Sequence, residues 1–155
     1  MESSETKRLE FEMHLDAQWI VGFVDGEGSF KVSLNKMKEI ETEFNVVQNE
    51  QDVQVLFALK KHFGCGVVRK ITSSKMCYRV KETQHLLTKI IPFFEKHSLK
   101  TFKRVEFQKF RKILLKIQRN EHMSADGIEE IQYIINQVAS IQTKIESDSF
   151  GNKRD

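Results

Sequence analysis

The chain has 155 residues, of which 39% are hydrophobic and 30% are charged, which is typical of one globular domain. No apolar run approaches the roughly 20 residues that a membrane-spanning helix needs, so we expect no membrane partner. The start of the chain is polar and acidic, unlike a secretory signal. We therefore divide the sequence into an N-terminal extension (1–13), a single domain (14–141) and a polar C-terminal tail (142–155).

The net charge of +3 hides an uneven distribution along the chain. Between Lys31 and Arg119 there are 20 Lys and Arg residues against 8 Asp and Glu residues, whereas the two ends together are acidic. A basic middle indicates a polyanionic partner, and nucleic acid is the commonest one. The alternative is a set of surface lysines that are simply solvated.

Residues 15–25 are predicted to form a helix that is apolar on nearly all sides. One side carries Trp19 and Phe23, and the other carries Ile20 and Val24. Such a helix needs burial on two sides, and in a domain this small the second surface could belong to another subunit. Gly22 costs helix stability, but its missing side chain allows a second helix to approach closely.

Four runs predict β-strands in two hairpins. Residues 29–36 and 40–47 alternate polar with apolar side chains, which places Phe30 and Phe44 on buried faces. Residues 65–71 and 76–81 flank a turn at 72–74, and Tyr78 is expected to be buried there. Cys65 and Cys77 lie in this hairpin, and we expect both to be reduced thiols.

The remaining segments predict helices. Residues 49–63 open with an Asn49/Asp52 cap pattern and end at Gly64. Further helices are predicted at 83–91, with Pro92 near the end, at 99–119 and at 124–141. The order α-ββ-α-ββ-α-α-α predicts an α+β fold in which helices back one four-stranded antiparallel sheet, with additional C-terminal helices.

The stretch from Asp25 to Gly28 reads Asp-Gly-Glu-Gly and ends the first predicted helix. Two carboxylates are electrostatically disfavoured at the C-terminus of a helix unless a cation compensates them. A hard divalent metal ion, bound by a carboxylate and a backbone carbonyl, would do so. The alternative is an ordinary glycine-rich helix end whose acidic side chains are solvated.

This stretch belongs to a longer motif. The residues Ile20-Val21-Gly22-Phe23-Val24-Asp25-Gly26-Glu27-Gly28, followed by Ser29-Phe30, resemble the LAGLIDADG signature of homing endonucleases. The departures are Ile for the leading Leu, Val for Ala, Gly for the second Ala and Glu for the second Asp. The motif covers nine residues, and the α-ββ-α-ββ-α order extends the resemblance to about residue 120.

The resemblance implies a role for each residue at the end of the helix. Glu27 would be the metal-binding carboxylate, and Gly26 would lend its backbone carbonyl to the metal. Asp25 and Gly22 would support the helix end and the subunit interface. Because the chain carries one motif, it is expected to act as a homodimer with Mg²⁺, for which Ca²⁺ or Mn²⁺ can substitute, and with no small-molecule cofactor.

Two further matches to the family are shorter. Gln48 is similar to a family glutamine that orders water in the active site, and Lys100 resembles a lysine that polarises water or the scissile phosphate. The alternatives are a polar strand end for Gln48 and a solvated cation for Lys100. One related enzyme type has a basic residue near Asp52, which is missing here, and Lys103 is a candidate to fill its role.

The polar faces of the four strands are predicted to read DNA. Arg and Lys side chains can bind guanine and Asn can pair with adenine, while a strand ribbon fits the major groove. Glu41 and Glu43 either accept from cytosine or form ion pairs with Lys31 and Lys36, and the ion pairs are favoured. The predicted contact residues are Ser29, Lys31, Ser33, Asn35, Asn45, Val47, Arg69, Ile71, Cys77, Arg79 and Lys81.

These features predict a site-specific endonuclease that binds a long pseudo-palindromic double-stranded DNA site and cuts both strands to leave short 3′ overhangs. The alternative is a non-cleaving protein of the same fold, such as an intron maturase or a transcriptional regulator; the presence of Glu27 favours the enzyme. The resemblance points to a chloroplast, a mitochondrion or a bacterial cytoplasm without distinguishing them.

Overall fold

The computed structural model describes residues 13–151, except the side chains of 142, 143, 145, 146 and 148–151. The predicted N-terminal extension lies outside this range, apart from Met13. The elements in chain order are α1 (Ala17–Glu27), β1 (Gly28–Leu34), β2 (Ile40–Asn49), a 3₁₀ turn (Glu50–Asp52), α2 (Val53–Phe63), β3 (Val67–Lys70), β4 (Lys75–Val80), α3 (Thr83–His85), a π turn (Leu86–Ile90), α4 (Ile91–Lys96), α5 (Lys103–Gln118), a 3₁₀ turn (Glu121–Met123) and α6 (Ala125–Gly151).

The strands form one antiparallel sheet in the order β1-β2-β4-β3, which confirms the predicted α+β class. Phe30 pairs with Phe44, and Phe44 pairs with Val80, so the predicted apolar rows lie side by side on one face. Phe44, Tyr78 and Val80 are at most 1% exposed. The alternation of the sequence therefore identified the face that packs against the helices.

An aromatic cluster joins this face of the sheet to the helices. The Phe30 ring lies 5.2 Å from that of Phe44, 5.7 Å from that of Phe94 in α4, and 5.3 Å from that of Phe110 in α5. Such ring pairs add packing energy beyond their buried area. Because Phe30 is two residues beyond Gly28, this packing also fixes where α1 ends and the sheet begins.

The helix boundaries differ from the predictions in several places. Helix α1 begins at Ala17, because the Asp16 carboxylate caps it by accepting from the Trp19 N–H at 2.9 Å, and it continues to Glu27. Gly64 ends α2 with a φ of +69°, as predicted, but within residues 13–151 neither Asn49 nor Asp52 caps with its side chain. A 3₁₀ turn occupies the predicted first turn instead.

The third predicted helix is longer than expected and contains a π turn. The segment runs from Thr83 to Lys96, and within it the Ile91 N–H donates to the Leu86 carbonyl across five residues. Pro92 has no N–H to donate, and it sits at the start of α4, where the helix does not need that donor. The proline therefore lies inside the helical segment rather than at its end.

The C-terminal helix also extends beyond the prediction. The Ser124 side chain accepts from the Gly127 N–H at 3.0 Å, which confirms the serine cap, but α6 continues to Gly151 through the predicted polar tail. No Gly or Pro interrupts residues 128–150, so the polar composition does not stop the helix. Ile131 and Ile134 pack against Ile113 of α5. None of the helices within residues 13–151 is long and apolar enough to cross a membrane.

Candidate functional site

The site begins at the junction between α1 and β1, where Gly28 is required because there is no room for a side chain. The Gly28 N–H donates to the Val24 carbonyl and closes the helix. A Cβ at this position would lie 2.7 Å from Val24 Cγ1 and 2.9 Å from the Val24 oxygen, closer than such atoms approach. Only glycine lets the chain turn from the helix into the sheet at this distance. The turn places Asp25, Gly26 and Glu27 in the last turn of α1.

The Asp25 carboxylate binds the segment that precedes α5. Its Oδ2 accepts from the Lys100 N–H at 3.0 Å, and its Oδ1 accepts from the Thr101 N–H at 3.1 Å and from the Thr101 hydroxyl at 2.8 Å. Charge-assisted hydrogen bonds of this kind are stronger than neutral ones. Asp25 therefore fixes the backbone of Lys100 beside the end of α1. Because the Lys100 and Thr101 N–H groups donate to Asp25, the long basic helix begins after them, at Lys103 rather than at the predicted residue 99.

Glu27 and Gly26 are exposed at the last turn of α1. Carbonyls in the last turn of a helix lack intrahelical partners, and the negative end of the dipole lies there. The exposed groups are a carboxylate and backbone oxygens, which are hard donors. Between residues 13 and 151, excluding the undescribed side chains, no three His, Cys, Asp or Glu residues gather into a metal-binding cluster.

Gln48 and Lys100 lie at the same end of the sheet as this turn. Gly28 pairs with Val46, so Gln48, two residues further along β2, lies level with the end of α1. Its Oε1 accepts from the Asn49 N–H at 2.8 Å. The Lys100 side chain is exposed, and its backbone is held by Asp25. Lys103 Nζ instead pairs with Glu106 at 3.5 Å, with both side chains under 20% exposed.

One face of α1 is uncovered in the single chain. Ile20, Val21 and Val24 are buried, whereas Trp19 is 41% exposed and stacks on Phe23 with ring centroids 4.8 Å apart. Gly22 lies on this exposed side, and a Cβ there would meet nothing within 4 Å. The two-sided helix predicted from the sequence thus buries one side and leaves an aromatic pair and a glycine on the other.

The face of the sheet opposite the core carries most of the predicted DNA-contact residues. Lys31 lies opposite Glu43, Asn45 lies between Ser29 and Arg79, and Cys77 lies between Val47 and Arg69, as the strand registers show. Of the predicted contact residues, Lys31 and Ser33 of β1, Arg69 of β3 and Lys81, which directly follows β4, are exposed. Ser29 and Val47 are partly exposed.

Four predicted contact residues are placed differently from expectation. Asn35 lies in the turn after β1, where its Oδ1 accepts from the Met37 and Glu39 N–H groups, both at 2.9 Å. Ile71 lies beyond β3 in a bend and is 50% exposed. Cys77 is 3% and Asn45 8% exposed, because neighbouring side chains cover the centre of the face. Burial raises the pKa of the Cys77 thiol, and Arg79 and Arg69 only partly offset this shift.

Glu43 forms a different ion pair from the predicted ones. Its Oε1 lies 3.5 Å from Arg79 Nε and accepts from Asn45 Nδ2 at 3.2 Å. Lys31, directly opposite in the register, was the predicted partner. Arg79 lies diagonally across β2 and β4, at a distance that long side chains span. The alternation of the sequence predicts which face of the sheet Glu43 lies on, but not which cation on that face it pairs with. The contact of Thr101 with Asp25 likewise could not be predicted from the neighbouring sequence.

The sequence matches the profile of the family described as LAGLIDADG endonuclease over residues 20–114. A "Probable intron-encoded endonuclease 2" of Neurospora crassa is 28% identical over 73% of this chain and 25% of its own length. The "DNA endonuclease I-CeuI" of Chlamydomonas moewusii is 26% identical over 79% of this chain and 59% of its own length. The chain thus spans about a quarter of the first relative and under two thirds of the second.

Solved structures share the fold. The homing endonuclease I-TnaI is 42% identical, with a TM-score of 0.76 over 87% of this chain and 99% of its own. The LAGLIDADG homing endonuclease I-GzeII, solved in complex with its DNA target, is 28% identical, with a TM-score of 0.78 over 81% of this chain and 44% of its own. The match therefore covers nearly all of the I-TnaI chain and under half of the I-GzeII chain.

Proposed function

Because the chain belongs to the LAGLIDADG endonuclease family, we propose that it is a site-specific homing endonuclease that works as a homodimer. It binds a long, pseudo-palindromic double-stranded DNA site and hydrolyses both strands to leave short 3′ overhangs. The observation that carries the proposal is the exposed Glu27 carboxylate at the end of a helix whose other face is uncovered. A binding protein of the same fold would not need that carboxylate.

The homodimer is supported by the surface of α1. Trp19 is exposed and stacks on Phe23, which is itself partly buried against the core, and Gly22 leaves open space beside them. Removing such apolar area from water is favourable, and small residues let two helix backbones approach. A second copy of the same helix, related by a two-fold axis, presents the same surface in return. This arrangement brings two Glu27 residues, one from each subunit, to the centre of the assembly.

The donor set at the end of α1 fits a hard divalent cation. Glu27 would supply a carboxylate oxygen and Gly26 a backbone carbonyl, and phosphate oxygens of DNA would complete the ligands. Mg²⁺ is proposed as the working ion, with Ca²⁺ supporting binding and Mn²⁺ supporting cleavage. When bound, the metal stabilises charge on the attacking and leaving oxygens of phosphodiester hydrolysis.

The protein side chains around the helix end have their own tasks. Lys100, held through its backbone by Asp25, would place a cationic amino group beside the scissile phosphate. Gln48 lies level with the helix end and would orient the attacking water through its amide. Asp25 itself is a positioning residue, because its carboxylate is occupied by Lys100 and Thr101.

The polar face of the sheet would provide the DNA contacts. Strand β2 has 10 residues, which at about 3.3 Å each span roughly 33 Å, or about ten base pairs. Two subunits would then cover roughly 20 base pairs. Exposed Lys31 and Lys81 suit phosphate contacts, whereas the partly covered Arg79 suits a base edge.

The test begins with selection of a target from a dyad-symmetric duplex library, by retention on the protein with Ca²⁺. The selected DNA is then incubated with Mg²⁺ and either the wild type or Glu27→Gln. Cleavage by the wild type alone is the expected result. Retention without cleavage by either protein would instead favour a maturase or a regulator. Cleavage by Glu27→Gln at the wild-type rate would refute the assigned carboxylate.

A further inference from the structure

The centre of the polar face contains a partly buried group of three side chains, of which the proposed function assigns only Arg79, to a base edge. Arg79 and Glu43 are 24% and 20% exposed, and Asn45 is 8% exposed. Glu43 lies at the middle, where it contacts the guanidinium on one side and the amide on the other. Charged side chains are rarely this covered unless they are paired. The group is therefore a built feature of the face rather than a set of independent surface residues.

Asn45 contacts the Glu43–Arg79 ion pair and is not available to the DNA. Its Nδ2 donates to Glu43 Oε1, and the reverse orientation of the amide would set its oxygen against a carboxylate. Its Oδ1 is covered and has no hydrogen-bond partner among the described residues. A buried acceptor without a partner costs stability, and the amide is held in place by its contacts with Glu43 and with the Cys77 side chain. Because the side chain is covered, Asn45 lacks the access that pairing with an adenine edge requires.

Arg79 keeps donors that can face the DNA. The guanidinium has five N–H donors in a planar fork, and the atom nearest to Glu43 is Nε. The two terminal amino groups therefore lie farther from the carboxylate. Glu43 also limits the rotamers of Arg79 before any partner arrives, which reduces the entropy lost on binding. Lys31 and Lys81, by contrast, are exposed.

We propose that Arg79, oriented by Glu43 and Asn45, reads a guanine at one fixed position in each half of the DNA site. The planar fork of arginine matches the O6 and N7 acceptors that guanine presents in the major groove. Arg79 lies in the same row of the sheet as Ser29, two residues beyond Glu27, so the guanine falls on the side of the half-site nearer the dyad. This inference rests on the proposed function, since it needs DNA on this face of the sheet.

A base contact by Arg79 can be distinguished experimentally from a phosphate contact. Loss of a phosphate contact weakens binding nearly equally for all sequences, whereas loss of a base contact relaxes preference at one position. The measurement is retention of a half-site-randomised, dyad-symmetric duplex library by the full-length protein with Ca²⁺, followed by sequencing. The proteins compared are the wild type, Arg79→Gln, Glu43→Gln and Glu95→Gln.

The wild type should select guanine at one position per half-site by at least about fivefold. Arg79→Gln should abolish that preference while other positions keep theirs, and Glu43→Gln should weaken it at the same position. Glu95→Gln is the matched control, because it breaks an Arg–Glu pair of the same atom types, with Arg111 Nε 2.7 Å from Glu95, between two helices. The control should leave the selected sequence unchanged.

A uniform loss of retention by Arg79→Gln, with every base preference intact, would overturn the inference and assign Arg79 to phosphate. An unchanged sequence preference in both Arg79→Gln and Glu43→Gln would overturn it as well. Failure of the wild type to retain any DNA would instead refute the proposed function, and the inference would fall with it. Circular dichroism melting of the three variants checks that each is folded.

Discussion

At the scale of single residues, the Asp25 carboxylate connects the end of α1 to the segment that precedes α5. It accepts hydrogen bonds from Lys100 and Thr101. This contact spans residues 75 and 76 positions apart. No local pattern of charge or hydrophobicity encodes such a pairing, so the motif predicted that Asp25 lies at the helix end but not which residues it contacts.

The contact yields a prediction for catalysis. Asp25→Ala removes the acceptor for two backbone N–H groups, so the loop that carries Lys100 loses its fixed position. We expect the cleavage rate constant of a preselected target to fall at least tenfold, whereas the dissociation constant with Ca²⁺ changes less. Thr101→Val removes only the hydroxyl donor and should show a smaller effect of the same kind. Single-turnover cleavage and equilibrium binding are the measurements.

Equal losses of affinity and rate in Asp25→Ala would contradict this role and indicate a general defect in folding or docking. An unchanged rate would show that the position of the Lys100 backbone does not matter to the reaction. Urea denaturation of each variant separates these cases from loss of the folded state.

Gly28 yields a prediction for stability. In Gly28→Ala the added Cβ would meet Val24 Cγ1 at 2.7 Å and the Val24 oxygen at 2.9 Å. We expect the free energy of unfolding to fall by about 1–3 kcal/mol, because neither neighbour can move without shifting the end of α1. Gly26→Ala is the matched control, since a Cβ there meets nothing within 4 Å. Urea denaturation should show the control to be as stable as the wild type or more so.

Tyr78 gives a pH dependence. Burial, followed by interactions with Cys65, raises the pKa of the Tyr78 phenol above its ordinary value. Above about pH 10 the phenol ionises in the unfolded chain but not in the folded one, so stability falls as the pH rises. Tyr78→Phe should remove this part of the alkaline loss, so that its unfolding free energy declines less steeply from pH 9 to 11 than that of the wild type.

Tyr78→Phe also loses the hydrogen bond from the phenol to the Cys65 carbonyl, 2.8 Å long. At neutral pH it should therefore be less stable by about 1 kcal/mol. Parallel curves for the two proteins across the alkaline range would contradict the assigned shift.

At the scale of elements, the sequence predicted periodic features well and end points poorly. Alternation identified the buried faces of β1, β2 and β4, because one residue of slip would expose Phe30 and Phe44. The helices α4 and α6 exceeded their predicted ends, because a π turn accommodates Pro92 and a polar composition does not stop a helix. Such choices depend on packing against other elements and on hydrogen bonds that periodicity does not report.

A substitution in α1 tests the proposed homodimer. Gly22→Leu places a large side chain on its exposed side, where the single chain has open space, so the subunit should fold as before. A second helix approaching this surface would meet the new side chain, so the dimer should weaken at least tenfold. Analytical ultracentrifugation across protein concentration measures this change, and circular dichroism checks the fold.

A Gly22→Leu protein that sediments as the wild type at every concentration would show that α1 is not the subunit interface. A wild type that stays monomeric, both free and on its DNA target, would refute the homodimer itself.

At the scale of the whole molecule, the basic middle of the chain contributes Lys31, Arg69 and Arg79 to the polar face of the sheet. The sheet turns its aromatic face to the helices and its polar face outward, and the end of α1 lies beside both. The sequence motif located the helix end, and the alternation located the reading face. In the proposed homodimer, a second copy of the chain and the bound DNA would combine these two features into one site.

The most direct test of the proposed endonuclease maps the cut positions on both strands of the selected target after adding Mg²⁺ to wild-type protein. We expect one cut in each strand, placed symmetrically about the dyad, with 3′ overhangs and with no cut by Glu27→Gln. Cuts confined to one strand, cuts unrelated to the dyad, or cuts made equally by Glu27→Gln would contradict it.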